Sequence, residues 1–141
     1  MTGCALGFDY GTRWIGIASG NRISQSSHAL AALAVRDGQP NWSHLDAVIA
    51  EWQPDALIVG LPLTRDGGEQ ATTRKARAFA DALGKRSGLP VHLVDERHTS
   101  QEAARRFAQQ RAAGTARKRD AANIDSLAAA VILEGWLTRT V

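Results

Sequence analysis

Three acids in this sequence stand where a cation or a phosphate could be held. Asp9 closes a short apolar run, Ala5–Phe8, and is followed by a tight turn, Tyr10–Arg13. Glu96 follows another apolar run in VDERHTS, and Asp125 opens NIDSLAAAVILEGWL at its third position. Hard cations such as Mg²⁺ take carboxylate oxygens and keep several waters, so two or three acids suffice to hold one. Each acid also has a plainer role open to it. Asp9 can set its turn, Glu96 can pair with Arg97 at the surface, and Asp125 can favour a helix N-terminus by its charge. Asp95 adjoins Glu96, and strand alternation sends neighbours to opposite faces. One of the two should face the site, with Glu96 preferred, but alternation alone does not choose.

Other chemistry-bearing residues are less organised. His98 could shuttle a proton, although a polar loop residue is the simpler reading. His28, His44 and His92 are isolated from one another and from Cys4, so no zinc-ligand spacing appears. Thr64, Arg65 and Gly67-Gly68 could touch phosphate but read more simply as a surface loop. Between Ala103 and Arg119 lie six basic residues (Arg105, Arg106, Arg111, Arg117, Lys118, Arg119) and no acid. Such a run is usually a solvated face. Flanked by Glu96 and Asp125, it is comparably the footprint of a polyanion.

The elements that must position these residues can be read from apolar periodicity. Ala5–Phe8 and Trp14–Ala18 read as two strands around the Asp9 turn. Gly7 and Gly16, in strand interiors, signal a bulge or a close backbone approach. Ser26–Leu33 reads as a third, antiparallel edge strand, and Asp37-Gly38-Gln39-Pro40 breaks the chain. Trp42, Leu45, Ile49 and Trp52 recur at helical spacing, which predicts a helix over Trp42–Trp52 with both Trp residues in the core. Ala56–Gly60 is a continuous apolar run, the pattern of a strand buried on both faces. Gln70–Ser87 reads as a helix with Ala76, Phe79, Ala80 and Leu83 inward and Arg74, Lys75 and Arg77 off that stripe. Gly88 suits the left-handed residue past its end. Val91–Asp95 reads as another buried strand. Thr99 and Glu102 have capping-box spacing and should open a helix to about Gln110. Arg111–Ala122 reads as a basic loop, and Ile124–Thr138 as a well-buried closing helix.

This order predicts an α/β fold in which an antiparallel hairpin enters a parallel strand–helix half. In open sheets of this kind, sites form beyond the carboxyl ends of the parallel strands. Asp9, Gly60–Leu63 and Asp95-Glu96 all fall at such ends.

The 141 residues fit one domain, 1–141, and 44% apolar content supports a core without staples. A lone Cys4 excludes an internal disulfide framework and suggests a reducing compartment. The first residues show no basic region followed by an apolar run, and no apolar stretch approaches the ~18 residues of a membrane span. The expectation is a cytoplasmic protein without a membrane partner.

The motifs GFDYGTRWIGIA, ALIVGLPLTRDGGEQ, VHLVDERHTSQEA and IDSLAAAVILEGWL together resemble, in order, those of the YqgF-like family. Its members resemble Holliday-junction resolvases of the RNase H-like superfamily and are described as pre-16S rRNA nucleases. The resemblance implies an RNase H-like fold, here a five-stranded mixed sheet flanked by helices. It implies phosphodiester hydrolysis with Mg²⁺ or Mn²⁺ and a role in maturing the 5′ end of 16S rRNA. Carried over by position, Asp9, Glu96 and Asp125 are the catalytic acids and metal ligands. Arg97 and Arg105, Arg106, Arg111, Arg117, Lys118 and Arg119 would hold flanking phosphates. The implied partners are nucleic acid, an rRNA precursor or else branched DNA, and ribosomal particles, with the protein a monomer or a dimer. Three positions depart from the family pattern: Trp14 stands where a basic residue is common, Ser19-Gly20-Asn21 where a segment usually ends in Asp, and His98 where an aliphatic residue is usual. None removes a candidate ligand. The Asp-x-Gly-Thr turn also resembles a phosphate loop of the actin and sugar-kinase superfamily, but a chain of this length offers no second lobe. The further alternatives are a non-catalytic RNA- or ribosome-binding factor and a DNA junction resolvase.

Overall fold

A computed structural model describes residues 3–63, 66–95 and 124–139, with the backbone alone for 124, 125 and 139. Among these residues six strands form one mixed sheet: β1 (Cys4–Asp9), β2 (Trp14–Asn21), β3 (Ser26–Arg36), β4 (Gln39–Pro40), β5 (Ala56–Leu61) and β6 (Val91–Asp95). Their spatial order is β4-β3-β2-β1-β5-β6. The β1–β4 part is antiparallel, whereas β1, β5 and β6 run parallel. Three helices flank the sheet: α1 (Trp42–Trp52), α2 (Ala71–Ser87) and α3 (Ile124–Arg139).

The sixth strand comes from the Asp-Gly pair. Asp37 and Gly38 take φ of 52° and 74° and close a two-residue hairpin in which Arg36 pairs with Gln39 and Val35 with Pro40. Two consecutive positive φ angles give a turn whose twist matches its strands, and Asp-Gly is a common sequence for it. The expected chain break is therefore a hairpin, and β3 is not the outermost strand.

The two faces of the sheet carry different cores. Leu6, Phe8, Ile15, Ile17, Leu57 and Val59 pack with Leu45 and Val48 of α1 and with Ala76, Phe79, Ala80 and Leu83 of α2. Ala5, Ala18, Ala56 and Ile58 pack with Ala129, Ala130, Ile132, Leu133 and Leu137 of α3. Small residues line this second interface, so α3 sits close to the sheet. At Gly7 an added Cβ would lie 2.8 Å from Leu133 Cβ and 3.1 Å from the Ala129 carbonyl oxygen. Gly16 stands at the other predicted irregularity: the β2–β3 register shifts between Ile15 and Ile17. Gly88, at φ 71°, ends α2 as expected.

Two burial expectations fail. Trp42 does stack on Phe79, with ring centroids 5.9 Å apart, but Trp52 is 38% exposed at the last turn of α1. Strand β6 is not buried on both faces, and its Leu93 is 43% exposed. It pairs with β5 alone among the described residues and lies at one end of the sheet. Three contacts anchor the sheet at the amino end of β1: Asp55 pairs with Arg22 at 2.7 Å, accepts from the Gly3 N–H and donates its own N–H to the Cys4 carbonyl. No helix of the described residues is long and apolar enough to cross a membrane.

Candidate active site

Asp9 is the last residue of β1 and pairs in register with Gly60 of β5, which pairs with Val94 of β6. The carboxyl ends of the three parallel strands therefore form one row. Neighbouring strands lie about 4.8 Å apart, so β1 and β6 end about 10 Å from each other.

Alternation assigns Asp9 and Asp95 each a face. Asp9 follows Ala5 and Gly7, which look toward α3. In β6, Val94 packs with the α3 core, and His92 meets Trp136 of α3 at 5.3 Å between centroids. Val91 and Leu93 line a cleft against α2 on the opposite face. Asp95 continues the Val91–Leu93 side, so it does not share the face of Asp9. The choice that alternation in the sequence left open is thereby narrowed: Asp95 belongs to the α2 side.

The first turn of α3 is fixed over the same row. Ser126, fully buried, accepts a hydrogen bond from the Ile17 N–H at 3.2 Å. Ile17 adjoins the register shift in β2 and pairs with Phe8, next to Asp9. Further along, Ser27 Oγ donates to the Ala130 carbonyl at 2.7 Å. Asp125 lies one residue before Ser126 and four before Ala129, in the first turn of α3. The backbone of that turn is thus held at the end of β1, while the Asp125 side chain lies outside the described residues.

The turn after Asp9 is tight. A Cβ on Gly11 would collide with the Trp14 carbonyl oxygen, so only glycine fits without a backbone shift. The loop after β5 is also tied down. Thr73, fully buried in the first turn of α2, donates its hydroxyl to the Pro62 carbonyl and accepts from the Gln70 N–H. Leu63 and Glu69 form an isolated bridge that closes the loop. Hydrogen bonds thus fix the described residues on either side of Thr64 and Arg65, which lie outside the described residues.

Glu96, Arg97, Arg105, Arg106, Arg111, Arg117, Lys118 and Arg119 lie outside the described residues. So do Thr64 and Arg65 of the candidate phosphate loop, His98, and the predicted helix and basic loop between Thr99 and Ala122. The described acids and histidines form no group of three that could hold a metal. Ser126 and Thr73 were not singled out by sequence reasoning. The available signal was a small polar residue at a core position of an apolar helix, which satisfies a backbone group more often than it does chemistry.

Solved structures share this fold. The fowlpox virus resolvase with its Holliday junction DNA aligns over 98% of this chain and 99% of its own, with TM-score 0.59 and 14% identity. Thermus thermophilus RuvC in complex with a Holliday junction aligns over 97% and 95%, with TM-score 0.56 and 15% identity. The fold is the RNase H-like fold of these resolvases. Sequence relatives are much nearer. A protein of Xanthomonas oryzae pv. oryzae strain PXO99A named "Putative pre-16S rRNA nuclease" is 50% identical over 135 residues, 96% of this chain and 87% of that protein. One of the same name from Xanthomonas campestris pv. campestris strain 8004 is 49% identical over 94% of this chain and 86% of that protein. The family model RuvX, described as Holliday junction resolvase, matches residues 3–139. With that match and those identities, the chain belongs to the RuvX family, the YqgF-like family its four motifs resemble.

Proposed function

We propose that this chain is a cytoplasmic, divalent-metal-dependent nuclease that hydrolyses phosphodiester bonds in the 5′ region of the 16S rRNA precursor. The observation that carries this reading is the placement of Asp9 at the carboxyl end of β1, on the face that the first turn of α3 covers. The names of its relatives supply the substrate class.

Asp9, Glu96 and Asp125 are the proposed ligands of Mg²⁺ or Mn²⁺. Asp9 is the member of this set whose side chain is described, and a carboxylate is the donor such ions prefer, so it fits. Glu96 follows Asp95 and would return to the side of Val94 if β6 continued by one residue. Asp125 belongs to the i, i+4, i+8 row of Ala129 and Leu133, the residues opposite Gly7. When bound, the metal supplies an activated water and charge stabilisation at the scissile phosphate. Arg97 and the basic residues from Arg105 to Arg119 would grip flanking phosphates, which contributes affinity without reading sequence.

The test is incubation of the purified protein with a 5′-extended 16S rRNA precursor and with a four-way DNA junction, each with Mg²⁺, Mn²⁺ or EDTA. Metal-dependent cleavage of the RNA is expected, lost in Asp9→Asn. Preferential cleavage of the junction would make the protein a resolvase, the reading favoured by its fold neighbours; that role needs paired sites and hence a dimer. Binding to precursor or ribosomal particles without cleavage would make it a non-catalytic factor.

A further inference from the structure

A cleft of about 390 Å³ opens beside the Asp9 turn, on the α1–α2 face of the sheet. Tyr10 and Thr12 of that turn, Gln39 of the β3–β4 hairpin and Lys75 and Ala78 of α2 line it, together with Trp42 and Phe79; Tyr10 and Phe79 are themselves largely buried. Its size falls within the range of small-ligand sites, and it pairs an apolar floor with a few polar groups, as such sites do.

The floor is rigid. Phe79 meets Tyr10 at 5.7 Å and Trp42 at 5.9 Å between centroids. The Arg86 guanidinium covers the Trp42 ring at 5.2 Å and is itself held by Asp46 in two hydrogen bonds of 2.9 and 2.7 Å. Above this floor the Gln39 amide and the Thr12 hydroxyl can each donate and accept. Ala78 is small and exposed, which leaves the entrance open.

The charge pattern selects the ligand. Along α2, Arg77 pairs with Glu69, Lys85 with Asp81 and Arg86 with Asp46. Arg74 and Lys75 are exposed and make no ion pair among the described residues, and neither does Arg13 in the turn. Asp37, the acid of the hairpin, makes no ion pair among the described residues either. An aromatic-floored cleft with an uncompensated ammonium at its rim suits a planar base that carries a phosphate.

We propose that this cleft receives one nucleotide of the substrate strand next to the cleaved bond, with its base between Tyr10 and Ala78 and its phosphate on Lys75. This rests on the nuclease reading above. Tyr10 follows Asp9 directly, so a strand crossing the end of the sheet from the α3 face reaches the cleft within about one nucleotide. Base–aromatic contact tolerates any sequence, because every base has a π-face.

The test uses the full chain in EDTA, where cleavage is silent, and two probes: a single-stranded RNA dodecamer and free AMP. Amide shifts at Thr12, Gln39, Lys75 and Ala78 are expected with both, and larger with the RNA at equal concentration. Ala78→Trp, at an exposed position, should fill the cleft, keep the melting temperature and weaken RNA binding at least about fivefold. Lys75→Ala should flatten the log–log salt dependence by about 0.7. Wild-type affinity in Ala78→Trp, or no shift in these amides while RNA is bound, overturns the cleft and leaves the nuclease reading standing. Shifts with AMP and none with RNA overturn the strand subsite in favour of a free-nucleotide site. Failure of the wild-type protein to bind RNA at all overturns both readings.

Discussion

Ser126→Ala removes the hydroxyl that joins the first turn of α3 to the sheet beside Asp9. Both partners are fully buried: Ser126 and Ile17 are 0% exposed, and the hydrogen bond is 3.2 Å long. Water cannot replace the lost acceptor without opening the α3 interface. The substitution therefore costs more than the ~1 kcal/mol net value of an average hydrogen bond. It leaves a buried N–H unsatisfied, at about 1–3 kcal/mol. Alanine returns up to about 0.5 kcal/mol through its better helix propensity. The expected net loss is about 1–2 kcal/mol, a five- to thirtyfold fall in the folding equilibrium constant. At about 2–4 °C per kcal/mol for a chain near this size, melting should drop by roughly 2–8 °C. Urea denaturation followed by circular dichroism measures the loss, and hydrogen exchange of the Ile17 amide localises it. Ser27→Ala is the control. Its hydroxyl donates to the Ala130 carbonyl from a half-buried position, and a carbonyl retains a second lone pair, so its loss should be smaller. If Ser126→Ala unfolds within about 0.5 kcal/mol of wild type with an unchanged m-value, the hydroxyl does not fix this helix. The apolar contacts of Ala129, Leu133 and Leu137 would then position it alone.

Three further outcomes are expected. Gly7→Ala should destabilise by about 0.5–2 kcal/mol in the same urea assay, because crowding of 1–3 kcal/mol against Leu133 and Ala129 exceeds the 0.5–1 kcal/mol that alanine gains over glycine in a strand; a stabilised variant would show that α3 yields freely. Mg²⁺ or Mn²⁺ should raise the melting temperature of wild type, by up to about 2.7 kcal/mol of stabilisation at a hundredfold excess over Kd, and should raise it less in Asp9→Asn; equal shifts would remove Asp9 from the metal site. Arg86 holds the Asp46 carboxyl below its ordinary value through their hydrogen bonds and charge. A lowered folded-state value favours folding above the ordinary 3.8 and loses that contribution as pH falls through the lower value. The gap in urea midpoint between wild type and Asp46→Asn should hence be present at neutral pH, shrink in salt and close in acid. A gap that persists in acid would assign the effect to packing on Trp42.

Much of the scaffold was legible because local pattern and tertiary context agree. Apolar periodicity located α1, α2 and α3 to within a residue, since each buries one stripe or, for α3, nearly every side. Gly7 and Gly16 announced a close approach and a register shift because glycine in a strand interior is costly without a reason of this kind. The Asp37-Gly38 turn was present in the sequence as a hairpin signal but was masked by Pro40, which reads as a breaker and in fact sits in a two-residue end strand where a missing donor costs little. The sequence also placed Asp9 at the end of β1 and Asp125 in the first turn of α3, because strand length and turn chemistry are local properties.

What it could not determine was which side Asp95 takes. Period-two alternation places Asp95 and Glu96 on opposite faces without saying which face holds α3. That was decided only when β6 paired in register with β5 and His92 and Val94 met α3, leaving Asp95 with Val91 and Leu93. Burial of β6 was likewise misjudged, since an apolar run reports what a strand could bury and not whether neighbours arrive on both sides. The tie from Ser126 to Ile17 spans 109 residues of sequence. No periodicity encodes it, because it exists only where a register shift leaves an N–H free and a helix from the far end of the chain brings an acceptor to it.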